Sequence, residues 1–167
     1  MKNIVLPAFG VAVLLLGSMS AASAKVDQKF IADAIQGNLA EISVGQLAQK
    51  NGNSDEVRNF GQTLVQDHSA NNDKAKSLAQ SESVKVPNEP KPEATRVYRK
   101  LSKLKGMAFD RAFAKEMVKD HKKDIKEFEK QSKGNDDVAK FAQETLPTLN
   151  KHLQTAESLM QGKSANR

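Results

Sequence analysis

The chain of 167 residues has no cysteine and no tryptophan, and it contains only one tyrosine and seven phenylalanines. Without cysteine, no disulfide can stabilise the fold and no thiolate can act as a nucleophile or metal ligand. The sequence also lacks a Gly-x-Ser-x-Gly motif and a glycine-rich phosphate-binding loop. Few aromatic residues and no recognisable binding motif argue against nucleic acid as a partner. These absences favour a non-enzymatic protein stabilised by packing, although an enzymatic activity stays open.

Long apolar runs are also missing, apart from one short run near the N-terminus. Lys2 precedes an apolar segment from Ile4 to Leu16, and the small-residue stretch GSMSAASA then ends at Ala24. This order is typical of a secretory signal peptide, and the run is shorter than the roughly 20 residues that span a bilayer. We therefore expect residues 1–24 to be a signal peptide, with an uncleaved anchor as the alternative. Residues 25–167 are then one exported, periplasmic domain.

The charge balance is basic, with a formal net charge of +6 that falls to +5 when the predicted signal peptide removes Lys2. Lysines recur at helical spacing among acidic residues between positions 115 and 133. We interpret this pattern as a solvated helix face with ion pairs between neighbouring turns. Weak contact of this face with anionic envelope components is the alternative. A monomer or a small homo-oligomer is expected.

Four segments carry the 3.6-residue apolar period of an amphipathic helix. The first two are separated by Asn51-Gly52-Asn53, and the last two by Gly134-Asn135. A crossover at about residues 82–104 separates the pairs, because Pro87, Pro90 and Pro92 exclude a continuous helix there. A short helical turn within this crossover is possible near residues 95–104. The predicted helices cover about residues 27–50, 54–78, 108–131 and 136–161.

The two halves of the chain resemble each other. GNSDEVRNFGQTL at residues 52–64 is similar to GNDDVAKFAQETL at residues 134–146, and Ser54 is a typical N-cap residue. Two similar helical hairpins with tight turns and one longer connection predict an all-α fold. The expected architecture is an antiparallel up-down-up-down four-helix bundle.

A second repeat contains residues of the candidate functional site. FGQTLVQDH at residues 60–68 is echoed by FAKEMVKDH at residues 113–121, and both end in an Asp-His pair. The three histidines of the chain, His68, His121 and His152, lie on the apolar stripes of three different predicted helices. At a rise of about 1.5 Å per residue, their depths in the bundle differ by only about 8 Å. We therefore expect them to share one layer of the core.

Carboxylates and amides are predicted near this layer. Glu41 and Asp124 complete a candidate metal site with the three histidines, because imidazole and carboxylate groups from facing helices form the metal sites of bundles. The suitable ions are Cu, Zn, Fe or Mn. The residues predicted to hydrogen-bond the imidazole rings are Asp67, Asp120, Asn38 and Asn71. The alternative is a structural or stress-related bundle in which the His-Asp pairs serve packing and a protein or envelope partner mediates the function.

An oxygen-activating di-iron site is not predicted. Such a site needs Glu-x-x-His on two helices, whereas Val65, Val118 and Leu149 stand three residues before the histidines. Any metal site is therefore expected to be mononuclear or a weak, histidine-rich one. Pro147 lies inside the fourth predicted helix, where it is expected to bend the helix just before His152.

Four segments, in this order, resemble a bacterial exported family called domain of unknown function 4142. They are NLAEISVGQLAQK, FGQTLVQDHSANNDKAKSLA, GMAFDRAFAKEMVKDH and TLPTLNKHLQTAESL, and the resemblance covers nearly all of residues 27–161. It implies a ferritin-like bundle, periplasmic or outer-membrane-associated, without an established activity. The family pattern matches Glu41, Asp67, His68, Phe109, Asp110, His121, Pro147 and His152. Asp124 is not part of that pattern.

Overall fold

The computed structural model describes the backbone of residues 18–162 and the side chains of residues 27–162. Within these residues the fold is all-helical, with five helices and no strand. The helices are α1 (Ser18–Asn51), α2 (Asp55–Ser81), α3 (Pro92–Leu101), α4 (Gly106–Gln131) and α5 (Asp137–Met160). Most of the predicted signal peptide, residues 1–17, lies outside the described residues. None of the described helices is both long and apolar enough to cross a membrane.

The starts of α2 and α5 use the same capping arrangement. The Ser54 side chain accepts a hydrogen bond from the backbone N–H of Val57, and the Asp136 side chain accepts one from the N–H of Ala139. Each cap therefore satisfies an N–H that has no partner inside its helix. The similarity between residues 52–64 and 134–146 thus corresponds to two equivalent helix starts, and the prediction of Ser54 as N-cap is confirmed.

Three boundaries differ from the prediction. Helix α1 begins at Ser18 instead of about Asp27, and alanine-rich sequence of this kind has a high helix propensity. Helix α4 begins at Gly106, whose φ of 60° is accessible to glycine without strain. The crossover contains a ten-residue helix, α3, with Pro92 at its first turn, where proline is favourable because its missing N–H needs no partner.

The crossover is attached to α1. The Lys91 ammonium lies 2.8 Å from the Asp33 carboxylate, and the Gln36 side chain donates a hydrogen bond to the Glu89 carbonyl. Val84 and Val86 also pack against the buried core. The proline-containing segment therefore covers the bundle surface instead of forming an open loop.

The buried core consists of two apolar clusters. One contains Ile31, Ile35, Phe128 and Phe141, and the other contains residues such as Leu64, Phe109 and Met117. Along α1, α2 and α4, buried polar residues stand between the positions that belong to the two clusters. These residues are Asn38, Glu41, His68, Asn72 and His121. A polar layer therefore divides the interior near its middle.

Helices α1 and α2 approach each other closely at a pair of glycines. A Cβ atom added to Gly61 would lie 2.6 Å from the Gly45 carbonyl oxygen, and one added to Gly45 would lie 2.7 Å from the Gly61 carbonyl oxygen. Real Cβ atoms do not approach backbone oxygen this closely, so neither position accepts a side chain without moving the helices apart. The glycines thus set the spacing of α1 and α2.

Gly61→Ala is expected to lower the free energy of unfolding by about 1–3 kcal/mol, because the new methyl group meets backbone that cannot yield locally. Gly37→Ala is the matched control on α1, since nothing lies within 4 Å of its added Cβ. That control is expected to be neutral or to stabilise by about 0.5–1 kcal/mol. Urea unfolding followed by circular dichroism measures both, and equal effects of the two substitutions would contradict the close-approach explanation.

Candidate metal centre

The structure brings the three histidines together in the polar layer. His68 is on α2, His121 on α4 and His152 on α5, and their exposed fractions are 5%, 1% and 1%. The ring centroids are separated by 5.9 Å for His68 and His121, and by 5.3 Å for each of the other two pairs. One ring nitrogen from each histidine can be chosen so that all three lie within 4.8 Å of one another.

Each imidazole has a hydrogen-bond partner on one side. His68 Nδ1 lies 2.8 Å from Asn38 Oδ1, and His121 Nδ1 lies 3.0 Å from the Met117 carbonyl oxygen. His152 Nε2 lies 2.9 Å from Asp67 Oδ2. Carbonyl and amide oxygens only accept hydrogen bonds, as does an ionised carboxylate, so each of these ring nitrogens carries the proton. The three partners therefore assign one tautomer to each ring.

The remaining ring nitrogens, His68 Nε2, His121 Nε2 and His152 Nδ1, are then acceptors without a proton. His121 Nε2 and His152 Nδ1 face each other at 3.3 Å, and His68 Nε2 is buried without a hydrogen-bond partner. With neutral rings, no donor among the described residues forms a hydrogen bond with any of these three lone pairs. A buried acceptor without a partner costs free energy, so the arrangement favours a cation that several lone pairs can share.

Protonation of the rings is opposed by their surroundings. The pKa of His121 is lowered to about 4, mainly by burial and then by the neighbouring His152, while the hydrogen bond to the Met117 carbonyl opposes the shift. Burial also lowers the pKa of His68 well below its usual value, with additional lowering by His121 and His152. The pKa of His152 is lowered by burial, against the opposing effect of Asp67. At neutral pH the three imidazoles are therefore in the uncharged form that binds metal ions.

A hydrogen-bonded chain of side chains supports His68. Asn38 Oδ1 accepts from His68 and also from Asn71 Nδ2 at 3.2 Å, and the Thr145 hydroxyl donates to Asn71 Oδ1 at 3.0 Å. This chain links α1, α2 and α5 and orients the His68 ring. Asn38 and Asn71 were predicted to hold imidazole rings, and the structure places Asn38 against His68, with Asn71 behind Asn38.

The two repeated Asp-His pairs do not have equivalent surroundings. Asp67 accepts from the imidazole of another helix, His152, instead of from its neighbour His68. Asp120 makes no hydrogen bond with a histidine among the described residues, and its nearest cation is Lys119 at 4.0 Å. The sequence repeat therefore reproduces the helix face but not the role of the aspartate.

Glu41 and Asp124 lie outside the group of mutually close ring nitrogens. Burial raises the pKa of Glu41 well above its usual value, and the charges of Asp124, Asp120 and Glu116 raise it further. Burial, followed by the charge of Asp120, raises the pKa of Asp124 to about 6. Glu41 Oε2 is buried without a hydrogen-bond partner. These carboxyl groups form a second, acidic part of the polar layer between α1 and α4.

Some residues of the layer were missed by sequence reasoning. The Met117 carbonyl that orients His121 has no side-chain signature, although a backbone acceptor four residues earlier is geometrically available to any helical histidine. Thr145 was also missed, although its hydroxyl completes the Asn38–Asn71 chain. Asn72 is buried at 4% exposure with an unpartnered Oδ1. Its position one turn after His68 was the only available signal.

Asp110 belongs to the fold and not to the histidine layer. Its two carboxylate oxygens accept hydrogen bonds from the backbone N–H groups of Asn53 and Ser54, at 2.8 and 3.0 Å. The Asn51 side chain donates to the Leu104 carbonyl in the same region, at 3.0 Å. The start of α4 therefore holds the turn that precedes α2.

The sequence matches a known protein family. A family model described as "Domain of unknown function (DUF4142)" matches residues 16–159. The chain belongs to this family. The match confirms the resemblance that the four sequence segments indicated, and the matched range of this DUF4142 protein includes all three histidines. No curated protein matches the sequence.

A solved structure has a similar fold. It is the crystal structure of a DUF305 fragment from Deinococcus radiodurans, with a TM-score of 0.73 and 13% sequence identity. The alignment covers 82% of the DUF4142 chain and 96% of the other chain. At this identity the likeness shows a shared helical fold and carries no information about the histidine layer.

Asp124→Asn is expected to stabilise the protein at pH 7 by about 1–3 kcal/mol and to have little effect below about pH 4. The pKa of Asp124 rises from 3.8 in the unfolded chain to about 6 in the fold. As pH rises between these values, the unfolded chain releases the proton first, so the parent protein loses stability that the uncharged variant retains. Urea unfolding between pH 4 and pH 8 measures the difference.

The exposed Asp73 on the same protein provides the control, since Asp73→Asn is expected to change stability little at any pH. If Asp124→Asn raises the free energy of unfolding by the same amount at every pH, the electrostatic explanation is contradicted. Metal titration of the same variant also tests the predicted ligand role of Asp124. If Asp124 is a ligand, the substitution lowers the affinity of the protein for the metal ion.

Proposed function

We propose that this DUF4142 protein is an exported, periplasmic helical bundle that binds a single transition-metal ion through His68, His121 and His152. The observation that carries the proposal is the set of three hydrogen-bond contacts from the rings to Asn38, the Met117 carbonyl and Asp67, from which the tautomers are assigned. They direct the proton of every ring outward and leave three lone pairs in the centre. Metal-binding histidines are held in this way, with the second ring N–H donated to a carbonyl or carboxylate.

The proposed architecture is a ferritin-like four-helix bundle formed by α1, α2, α4 and α5 in which neighbouring helices are antiparallel. The expected up-down-up-down order is wrong, because α4 starts beside the end of α1 and runs parallel to α2, which gives the order up-down-down-up. The contacts support it, because residue numbers on paired helices run in opposite directions. Between α2 and α5, Asp67 contacts His152 and Lys74 contacts Glu144. Between α1 and α4, Asp27 contacts Gln131, whereas Asn51 contacts the Leu104 carbonyl just before α4. Such a bundle places side chains from facing helices in one central layer.

The donor set favours Zn²⁺ or Cu²⁺ over the other candidate ions. Three imidazoles without a carboxylate suit borderline metals, whereas Mn²⁺ prefers oxygen ligands. Two nitrogens bound to Zn²⁺ at about 2.0–2.1 Å in tetrahedral geometry are about 3.3 Å apart. His121 Nε2 and His152 Nδ1 already have this separation of 3.3 Å. The His68 ring then has to move inward to complete the site.

Metal titration by calorimetry is the direct test. The purified protein carries only three histidines, so an untagged sample offers no other imidazole site. We expect near-stoichiometric binding of Zn²⁺ or Cu²⁺, and His121→Gln is expected to weaken it by more than the roughly 100-fold that loss of an outer partner costs. Asp67→Asn keeps an acceptor oxygen for His152 and is expected to weaken binding by about 10–100-fold.

Asp73→Asn is the control for nonspecific binding by exposed carboxylates, and it is expected to leave metal affinity unchanged. If the parent binds no metal and His121→Gln only lowers thermal stability, the histidine layer has a packing role. The protein is then a structural or stress-related bundle that acts through a partner. Co-purification from envelope extract identifies that partner.

Export is a separate part of the proposal, and it rests on the signal-like sequence of residues 1–24. When the full-length chain is expressed in a Gram-negative host, we expect it in the periplasmic fraction with Lys25 as its N-terminus. Intact-mass measurement and N-terminal sequencing check this outcome. Replacing Leu14, Leu15 and Leu16 with Asp is expected to leave an unprocessed chain in the cytoplasm. Processing at another bond, or none in the parent, would contradict the assignment.

A further inference from the structure

A pocket between α2 and α5 leads from the surface to the histidine layer. It has a volume of about 160 Å³ and is lined by residues that include Asp67, His68, Asn71, Thr145, Thr148 and His152. Two of the three proposed ligands therefore border a space that small molecules can enter. His121, on α4, does not line this pocket.

Among the described residues, three side chains of this layer are proposed as ligands, and no fourth joins them. No carboxylate of the described residues joins the group of mutually close ring nitrogens, and Asp67 Oδ2 is engaged with His152 Nε2. Structural zinc sites are closed by four protein ligands, whereas sites that bind exogenous molecules keep one position open. A three-histidine site beside a pocket matches the second kind.

We propose that this pocket admits a small anion or oxygen-donor molecule to the open coordination position of the three-histidine site, an inference that rests on the proposed function. The volume suits a molecule of a few heavy atoms and is below the range of about 300–1,000 Å³ typical of organic-ligand pockets. A divalent ion bound by three neutral imidazoles keeps its full charge of +2, which favours an anionic fourth ligand.

The pocket walls fit such a ligand. Thr148 lines the pocket, and its hydroxyl makes no hydrogen bond to the described residues, which leaves it available as a donor. Lys74 and Glu144 form an ion pair of 3.2 Å among the lining residues, and more than half of each side chain is exposed. Their charges balance at the surface. Asp67 also lines the pocket with a carboxylate bonded to His152, and the double charge of the proposed divalent ion outweighs this single carboxylate. Asn71 and Thr145 are already bonded to each other.

Azide titration of the Cu²⁺-loaded protein tests this inference, because bound azide produces a charge-transfer absorption band. We expect saturable binding of azide to the parent. Thr148→Phe, which fills the pocket from α5, is expected to retain Cu²⁺ affinity and to lose azide affinity by at least about tenfold, the size of one substantial contact. Thr148→Val preserves the volume of the side chain and is expected to lose less affinity than Thr148→Phe.

The possible results separate the two proposals. Stoichiometric Cu²⁺ binding without any spectral response to azide overturns the open position and leaves the metal site standing. Azide binding that Thr148→Phe does not weaken also overturns the role of the pocket. Absence of Cu²⁺ binding in the calorimetric titration overturns the metal site and, with it, this inference.

Discussion

Burying three imidazole rings in one layer requires each ring to find a hydrogen-bond partner without acquiring a charge. The interior satisfies this requirement on one side only. Asn38, the Met117 carbonyl and Asp67 accept the three N–H groups from outside the cluster, and apolar residues occupy the core on both sides of the layer. Since low-dielectric surroundings disfavour imidazolium, the centre of the molecule contains lone pairs and no proton to satisfy them.

The rest of the fold keeps this layer in place. The glycine pair on α1 and α2 sets the distance across which Asn38 reaches His68. Asp110 joins the beginning of α4 to the turn before α2, so that His121 and His68 are positioned by helices with a common attachment. Close packing of the phenylalanines above and below the layer limits ring movement. The energetically unfavourable contact between acceptors is thus maintained by many favourable ones around it.

Sequence reasoning predicted the helices well because apolar periodicity and capping residues are local signals. Ser54 and Asp136 illustrate this, since each caps a helix with its own side chain. The repeated Asp-His motif was less informative about the site, because the hydrogen-bond partner of each aspartate depends on the neighbouring helix. Asp67 meets His152, which is distant in sequence, while Asp120 meets no imidazole. The family match and the DUF305 neighbour support the fold but not the chemistry, because a fold can carry many different sites.

The positions of the ligands along the chain also affect how an ion would be exchanged. His68 precedes the crossover, whereas His121 and His152 follow it, so an ion held by all three would cross-link the first half of the chain to the second. Like a disulfide, such a link constrains the unfolded chain most when the loops it closes are long. Release of the ion would be tied to separation of α2 from α4 and α5, a rare event in a packed bundle. In a chain without cysteine, a bound metal ion would then provide the cross-link that a disulfide cannot.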